Sequence, residues 1–151
     1  MSNIPASERK PTRVDFFNRF IDFQALIYEY MSQDFGEDKA YKADGTKNEK
    51  YWILERVRNC ICADVEEMLL CIVQADTIKI QTLYEYNERR RYMNKAIGCG
   101  FDIMQRLQYC IRSLKLKPDK YERVQKEVET LVESLRKWRK GDNTIKAKLQ
   151  L

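Results

Sequence analysis

Residues 78–116 read IKIQTLYEYNERRRYMNKAIGCGFDIMQRLQYCIRSLKL. Within this stretch Leu83, Tyr86, Arg90, Met93, Ile97, Gly100, Met104, Leu107, Ile111 and Leu114 follow one another in alternating steps of three and four. A strand would show a period of two; this spacing is that of one face of a long α-helix. Held over so many turns, a mean period near 3.5 also predicts a left-handed, bundle-type seam against other helices. Two positions on the seam stand out. Gly100, beside Ala96, Gly98 and Cys99, gives up helix propensity, which points to a close backbone approach by a neighbouring helix. Arg90 places a charge on an apolar stripe, and two readings stay open for it: a side chain that snorkels out at the bundle end, or a buried ion pair.

The chain on either side repeats the helical pattern. Phe16, Phe20, Phe23, Ile27 and Tyr30 form a single stripe and predict a first helix over about residues 12–32, with Thr12 and Asp15 as a capping-box start. Ile53, Val57, Ile61, Val65, Met68, Ile72 and Ala75 predict the inward face of a second helix over about 48–75. Between these two, residues 33–47 contain Gly36, Asp44-Gly45 and many charges, and read as the longest loop. Asp76-Thr77 is a weak break, with Thr77 as candidate cap of the third helix, about 78–116. Lys117-Pro118-Asp119 ends that helix and opens a fourth, since proline is tolerated in a first turn. Tyr121, Val124, Val128, Leu131, Leu135 and Trp138 line this fourth helix, about 118–140, and Gly141 is a natural stop. The expected architecture is an all-α, antiparallel up-down-up-down four-helix bundle over 12–141. Residues 1–11 are expected to be a disordered lead and 142–151 a flexible basic tail.

Composition agrees with one helical domain. The chain has 151 residues, 44% hydrophobic and 34% charged, with five Gly and three Pro. No apolar run reaches the roughly 18 residues of a membrane span, and Met1 to Pro11 lack the apolar stretch of a secretory signal, so a cytoplasmic location is expected. Cys60, Cys62, Cys71, Cys99 and Cys110 form no C-x-x-C pair. Spacings of 11 between Cys60 and Cys71, and between Cys99 and Cys110, return to nearly the same helix face, where a thiol acts as a small core hydrophobe; a metal or disulfide role is the alternative.

The chain has no His. That removes Ser-His and Cys-His nucleophile systems, the Arg-x4-6-His motif of helical HEPN ribonucleases and the Glu-x-x-His pairs of di-iron bundles. Glu66-Glu67, Glu127, Glu129 and Glu133 lie among basic residues at helical spacing and read as solvated faces, and no glycine-rich phosphate loop precedes a helix. The chain is therefore expected to be no enzyme and to need no cofactor or metal. An enzyme built on carboxylates alone would have to carry bound metal.

Charge is unevenly distributed. Residues 1–76 hold 10 Lys+Arg and 14 Asp+Glu, a net of −4, whereas residues 77–151 hold 18 and 9, a net of +9. Arg89, Arg90, Arg91, Lys95, Arg106, Arg112 and Lys115 lie on or beside the third helix, and Arg136, Lys137, Arg139 and Lys140 close the fourth. An antiparallel return places the end of the fourth helix beside the start of the third, so the two clusters are expected to merge at one pole. Such a pole would bind phosphates in a salt-sensitive, sequence-independent way. The competing reading is ordinary solvated charge with favourable cations at a helix C-terminus. Tyr84, Tyr86, Tyr92 and Tyr109 could stack on bases or be partly buried with their hydroxyls at a rim.

In Arg89-Arg90-Arg91 and Ala96, Leu107, Ile111-Arg112, Tyr121, Leu131, Leu135 and Trp138-Arg139-Lys140, with Ile61, Met68-Leu69, Ile72 and Ala75 upstream, the sequence over about 55–140 resembles a particular four-helix family. That family comprises the proteins encoded in 23S ribosomal RNA intervening sequences and the accessory variability determinant (Avd) proteins of diversity-generating retroelements. The first helix departs from the family pattern, and the loop 33–47 replaces its short connection. The resemblance implies a homopentamer with a basic exterior or channel. It also implies partners, a reverse transcriptase and its template RNA or DNA, whose error-prone cDNA synthesis the protein would support without chemistry of its own. The alternative is a protein–protein interaction module that docks its basic pole on an acidic surface, with no nucleic acid.

Overall fold

The computed structural model describes residues 13–33, 35–118 and 120–151, without the side chains of Arg13 and Val14. Four helices follow in order: α1 (Arg13–Gln33), α2 (Glu49–Thr77), α3 (Leu83–Ser113) and α4 (Tyr121–Lys148). They form an all-α, up-down-up-down four-helix bundle. The α2–α3 interface is the most extensive, α3–α4 the next, and α4–α1 and α1–α2 complete the ring without diagonal approaches. No helix among the described residues is long and apolar enough to cross a membrane. The expected capping residue Thr12 and the lead 1–11 lie outside the described residues.

The core follows from the stripes. Phe16, Phe20, Phe23, Ile27 and Tyr30 of α1 are all buried, as are Val57, Ile61, Val65, Met68, Ile72 and Ala75 of α2 and Tyr121, Val124, Val128, Leu131 and Leu135 of α4. Trp138 is half-buried and stacks on Phe16 at a centroid distance of 4.9 Å, tying the end of α4 to the start of α1. Cys71 and Cys110 sit in the same core, and all five cysteines are free.

The α2 stripe differs from expectation at one position, and the α3 stripe over part of its length. Near the start of α2 the inward residue is Leu54, fully buried, while Ile53 is 40% exposed. Leu54 fills the space above the turn at Gly36 together with Leu116; a Cβ on Gly36 would lie only 2.3 Å from Leu54 Cδ1. On α3 the expected seam shares Tyr86, Met93, Ile97, Gly100 and Leu107 with the observed one, but the buried line also runs one residue before the other expected positions. Ala96, Ile103 and Cys110 are buried, and Arg89 lies on their line. Met104, Ile111 and Leu114 are only partly buried, and Leu83 is exposed. The shift turns the seam toward α2, the partner with the larger interface.

Helix ends account for the remaining differences. Thr82, not Thr77, caps α3: its hydroxyl accepts from the Glu85 backbone N–H at 3.2 Å and donates to the Glu85 carboxylate at 3.0 Å. Thr77 instead donates back to the Gln74 carbonyl at the end of α2. The loop between α1 and α2 is ordered by contacts of its own. Phe35 is buried edge-on to Tyr30, Asp44 accepts from the Thr46 N–H and hydroxyl, and Asn48 donates to the Lys39 carbonyl. Most consequential, Gly141 does not stop α4, which continues to Lys148 where a flexible tail was expected. Asp142 is buried, and Asn143 and Lys146 reach the Tyr86 side chain of α3, so tertiary contacts outweigh the helix cost of one glycine.

Candidate nucleic-acid interface

The antiparallel return of α4 brings its end beside the start of α3. Arg139 donates to Asn94 Oδ1 at 2.8 Å, the Tyr86 hydroxyl to Asn143 Oδ1 at 2.6 Å, and Arg89 Nε to Asp142 Oδ2 at 2.8 Å. The two clusters of cationic residues thus share one pole, but their side chains do different things there.

Arg89 faces inward. Its side chain is 18% exposed, that of Asp142 only 5%, and its Nη1 also donates to the carbonyls of Ala75 and Ile78 at 3.2 Å each. One guanidinium therefore closes the C-terminus of α2 and joins α2, α3 and α4. Burial raises the Asp142 carboxyl above its ordinary range, and the hydrogen bond and charge of Arg89 oppose that shift without cancelling it. A desolvated pair of this type gains little net stability from its charges, yet loses much when one partner is removed. Arg90, the residue expected on the seam, is the one that runs out along the surface. It lies over the Tyr86 ring at 5.6 Å and donates to the Tyr86 hydroxyl and to Asn143 Oδ1. Of the two readings open for an arginine on this stripe, Arg90 takes the snorkelling one and its neighbour Arg89 the buried ion pair.

The other candidates divide by partner. Arg91 pairs with Glu88 at 3.0 Å, Lys95 with Glu67 at 3.3 Å, Arg136 with Glu133 at 2.6 Å and Arg106 with Asp102 at 2.7 Å. Exposed pairs of this kind are worth about 0–1 kcal/mol and exchange readily for another anion. Arg90, Arg112, Lys115, Lys137, Arg139 and Lys140 have no carboxylate within ion-pair distance among the described residues. They do not converge on one point. Arg112 and Lys115 stand more than 20 residues beyond Arg90, about 30 Å or more along α3. The eleven cationic positions form a pole at one end and a line along α3 toward the other.

Arg106 belongs to a cluster that the sequence did not disclose. Asp64 of α2 and Asp102 of α3 meet beside it, with Asp64 Oδ2 fully buried and 3.8 Å from Arg106 Nε. Burial, followed by the hydrogen bond and charge of Asp102, pushes the Asp64 carboxyl up to about 7, against the pull of Arg106. Asp102 moves the other way, lowered first by the hydrogen bond from Asp64 and further by Arg106. Burial and the facing Asp102 carboxyl thus both favour the protonated form of Asp64. No sequence signal marks this pair, because the residues are 38 apart on different helices. Nearby, burial pushes the Cys99 thiol up to about 11, and Cys110 likewise, so both are neutral thiols and poor nucleophiles at pH 7.

Surface character changes around the bundle. A groove between α1 and α4, of about 710 Å³, carries Asp15, Asp22, Glu29 and Glu127 alongside Arg19 and Arg123. The groove between α3 and α4, about 470 Å³, is lined by amides, aromatics, Met104 and Arg112, with no carboxylate among the described residues. Tyr86 is buried at the pole, Tyr92 is half-buried under Arg91, and Tyr84 and Tyr109 are exposed. No protein-family model, curated protein or solved structure matches the chain.

Proposed function

We propose that the chain is a non-enzymatic, homo-oligomeric accessory protein of a diversity-generating retroelement. In this reading it binds the element's reverse transcriptase and template RNA or DNA through its basic α3–α4 side and works in the cytoplasm. The observation that carries the nucleic-acid part is the sorting of charge. Cations without carboxylate partners among the described residues gather at the α3–α4 pole and along α3, whereas the α1–α4 groove is acidic. A polyanion laid on the basic side gains phosphate contacts without meeting the acidic one. The retroelement and the oligomer rest on the resemblance over about 55–140. Polymerase chemistry belongs to the partner, and the contribution of this chain is to hold template and enzyme together electrostatically.

The test is the affinity of the purified chain for a labelled RNA as salt is raised. With about four phosphates neutralised, affinity falls about fifty- to a hundredfold between roughly 50 and 200 mM monovalent salt. Absence of binding at the low-salt end removes the nucleic-acid reading. If Arg90, Arg139 and Lys140 changed together to Glu abolish capture of a protein partner while RNA affinity is negligible throughout, the alternative of a basic protein-docking module replaces it. Light scattering of the purified chain reads the oligomer directly.

A further inference from the structure

The outward face of α3 has a feature that charge does not explain. Gly98 is exposed in the middle of the helix, and a Cβ there would meet no atom within 4 Å. Its helix penalty of about 1 kcal/mol relative to alanine is therefore offset by nothing inside the bundle. Around it the face carries rings in the open: Tyr84 is 73% exposed, Phe101 42% and Tyr109 48%. The Arg136 guanidinium lies 5.4 Å from the Phe101 centroid, and Arg139 is held across the same groove by Asn94. Further along, Phe101, Gln105, Gln108, Arg112, Tyr121 and Gln125 line the groove. Gln108 is tied to the Tyr121 hydroxyl and Gln125 to Glu129, which leaves the Gln105 amide without a hydrogen bond among the described residues.

A duplex presents phosphates to cations and keeps its bases stacked inside, so exposed rings on its path would gain nothing. A single strand differs, because every unpaired base offers a flat face to a ring, worth about 1–3 kcal/mol per base, while arginines track the backbone. An amide such as Gln105 can donate to and accept from an open base edge. The face has what that ligand needs: rings in solvent, arginines beside them, no carboxylate among the described residues that line the stretch from Phe101 to Gln125, and at Gly98 a bare stretch of backbone that admits a flat group closely.

From this juxtaposition we infer that the α3–α4 groove and the outward α3 face beside it form a track for single-stranded nucleic acid, with bases stacked on Phe101 and Tyr109 and phosphates on Arg112, Arg136 and Arg139. The inference rests on the nucleic-acid reading proposed above and names its ligand class. Arg136 leaves its exposed pair with Glu133 at little cost when a phosphate arrives.

The experiment compares the full chain binding a labelled oligouridylate of about 20 nucleotides with its binding to an RNA duplex of the same length, at low salt. The single strand is expected to bind at least about tenfold more tightly. Phe101→Ala and Tyr109→Ala are each expected to weaken single-strand binding about 5- to 30-fold and to leave duplex binding unchanged. Gly98→Leu is the variant that separates binding from folding. It should hold or raise the melting temperature, because its site is open, and still weaken the single strand by crowding the face. Equal affinity for both RNAs, with the three variants unaffected, would overturn the groove inference while leaving the basic pole as the binding site. If neither RNA binds, the proposed function fails with it.

Discussion

Arg89 and Arg90 are neighbours of the same type, and the structure gives them opposite roles. Arg89 is committed to Asp142 and the end of α2, so it holds the bundle together, whereas Arg90 lies on Tyr86 at the surface. Removing the Asp142 carboxylate leaves a mostly buried guanidinium uncompensated. Asp142→Ala is accordingly expected to cost about 3 kcal/mol of unfolding free energy by urea titration, and Arg90→Ala about 1 kcal/mol or less. Equal effects from the two would mean that the ion pair is not the clasp described. The Asp64–Asp102 pair supplies a second expectation. An acid with a raised folded pKa contributes stability that is complete below its unfolded value near 3.9 and is lost as pH rises through the folded value, here about 7. Asp102, lowered, works in the opposite direction at acid pH, and Arg106 keeps part of the pair's charge compensated. Melting curves should therefore show wild type losing about 1–2 kcal/mol between roughly pH 5 and 8. Asp64→Asn, which can donate to Asp102 at any pH, should remove most of that loss. A carboxyl resonance of Asp64 titrating near 4 by NMR would contradict the raised carboxyl.

At the scale of the helices, periodicity was the most informative signal and its phase the least. All five α1 positions and five of the six α4 positions read from spacing are buried, and Trp138 packs at the rim. On α3 the alternation of three and four admits two seams that share every seventh residue. Spacing put Arg90, Met104 and Ile111 on the seam together with Ile97, which is buried, whereas the larger α2 interface draws Arg89, Ala96, Ile103 and Cys110 inward. Nothing local records which neighbour takes the larger share, so that rotation was not legible in the chain. The same holds for Gly141, whose propensity to end a helix was read correctly but is outweighed by the contacts of Asp142, Asn143 and Lys146. Gly100 was legible, because a costly residue on the seam of a long helix needs a reason. A Cβ there would lie 2.7 Å from Val132 Cγ2 of α4. Its neighbour Gly98 looks the same in sequence and is different in space. Thermal melts should separate them: Gly100→Ala destabilises by about 1–3 kcal/mol through overpacking, and Gly98→Ala stabilises by up to about 1 kcal/mol. If both substitutions stabilised, the tight α3–α4 contact would be wrong.

Across the whole molecule, the four-helix bundle and the meeting of α3 and α4 at one pole followed from short links and amphipathic stripes. The distribution of free charge did not. Sequence counted eleven cations as one site; the fold turns one inward, pairs four with carboxylates, and spreads the rest from the pole to the far end of α3. Which cation finds a carboxylate depends on side chains from other helices, as Lys95 and Glu67 show. The proposed role requires the α3–α4 side to bind nucleic acid by its phosphates. The most direct measurement is the slope of log affinity against log salt for RNA binding, in wild type and in a variant with Arg90, Arg139 and Lys140 changed to Gln. The expected result is a wild-type slope of about −3 that loses about two units in the variant, with the fold intact by circular dichroism. A slope near zero, or one that the three substitutions leave unchanged, would contradict it.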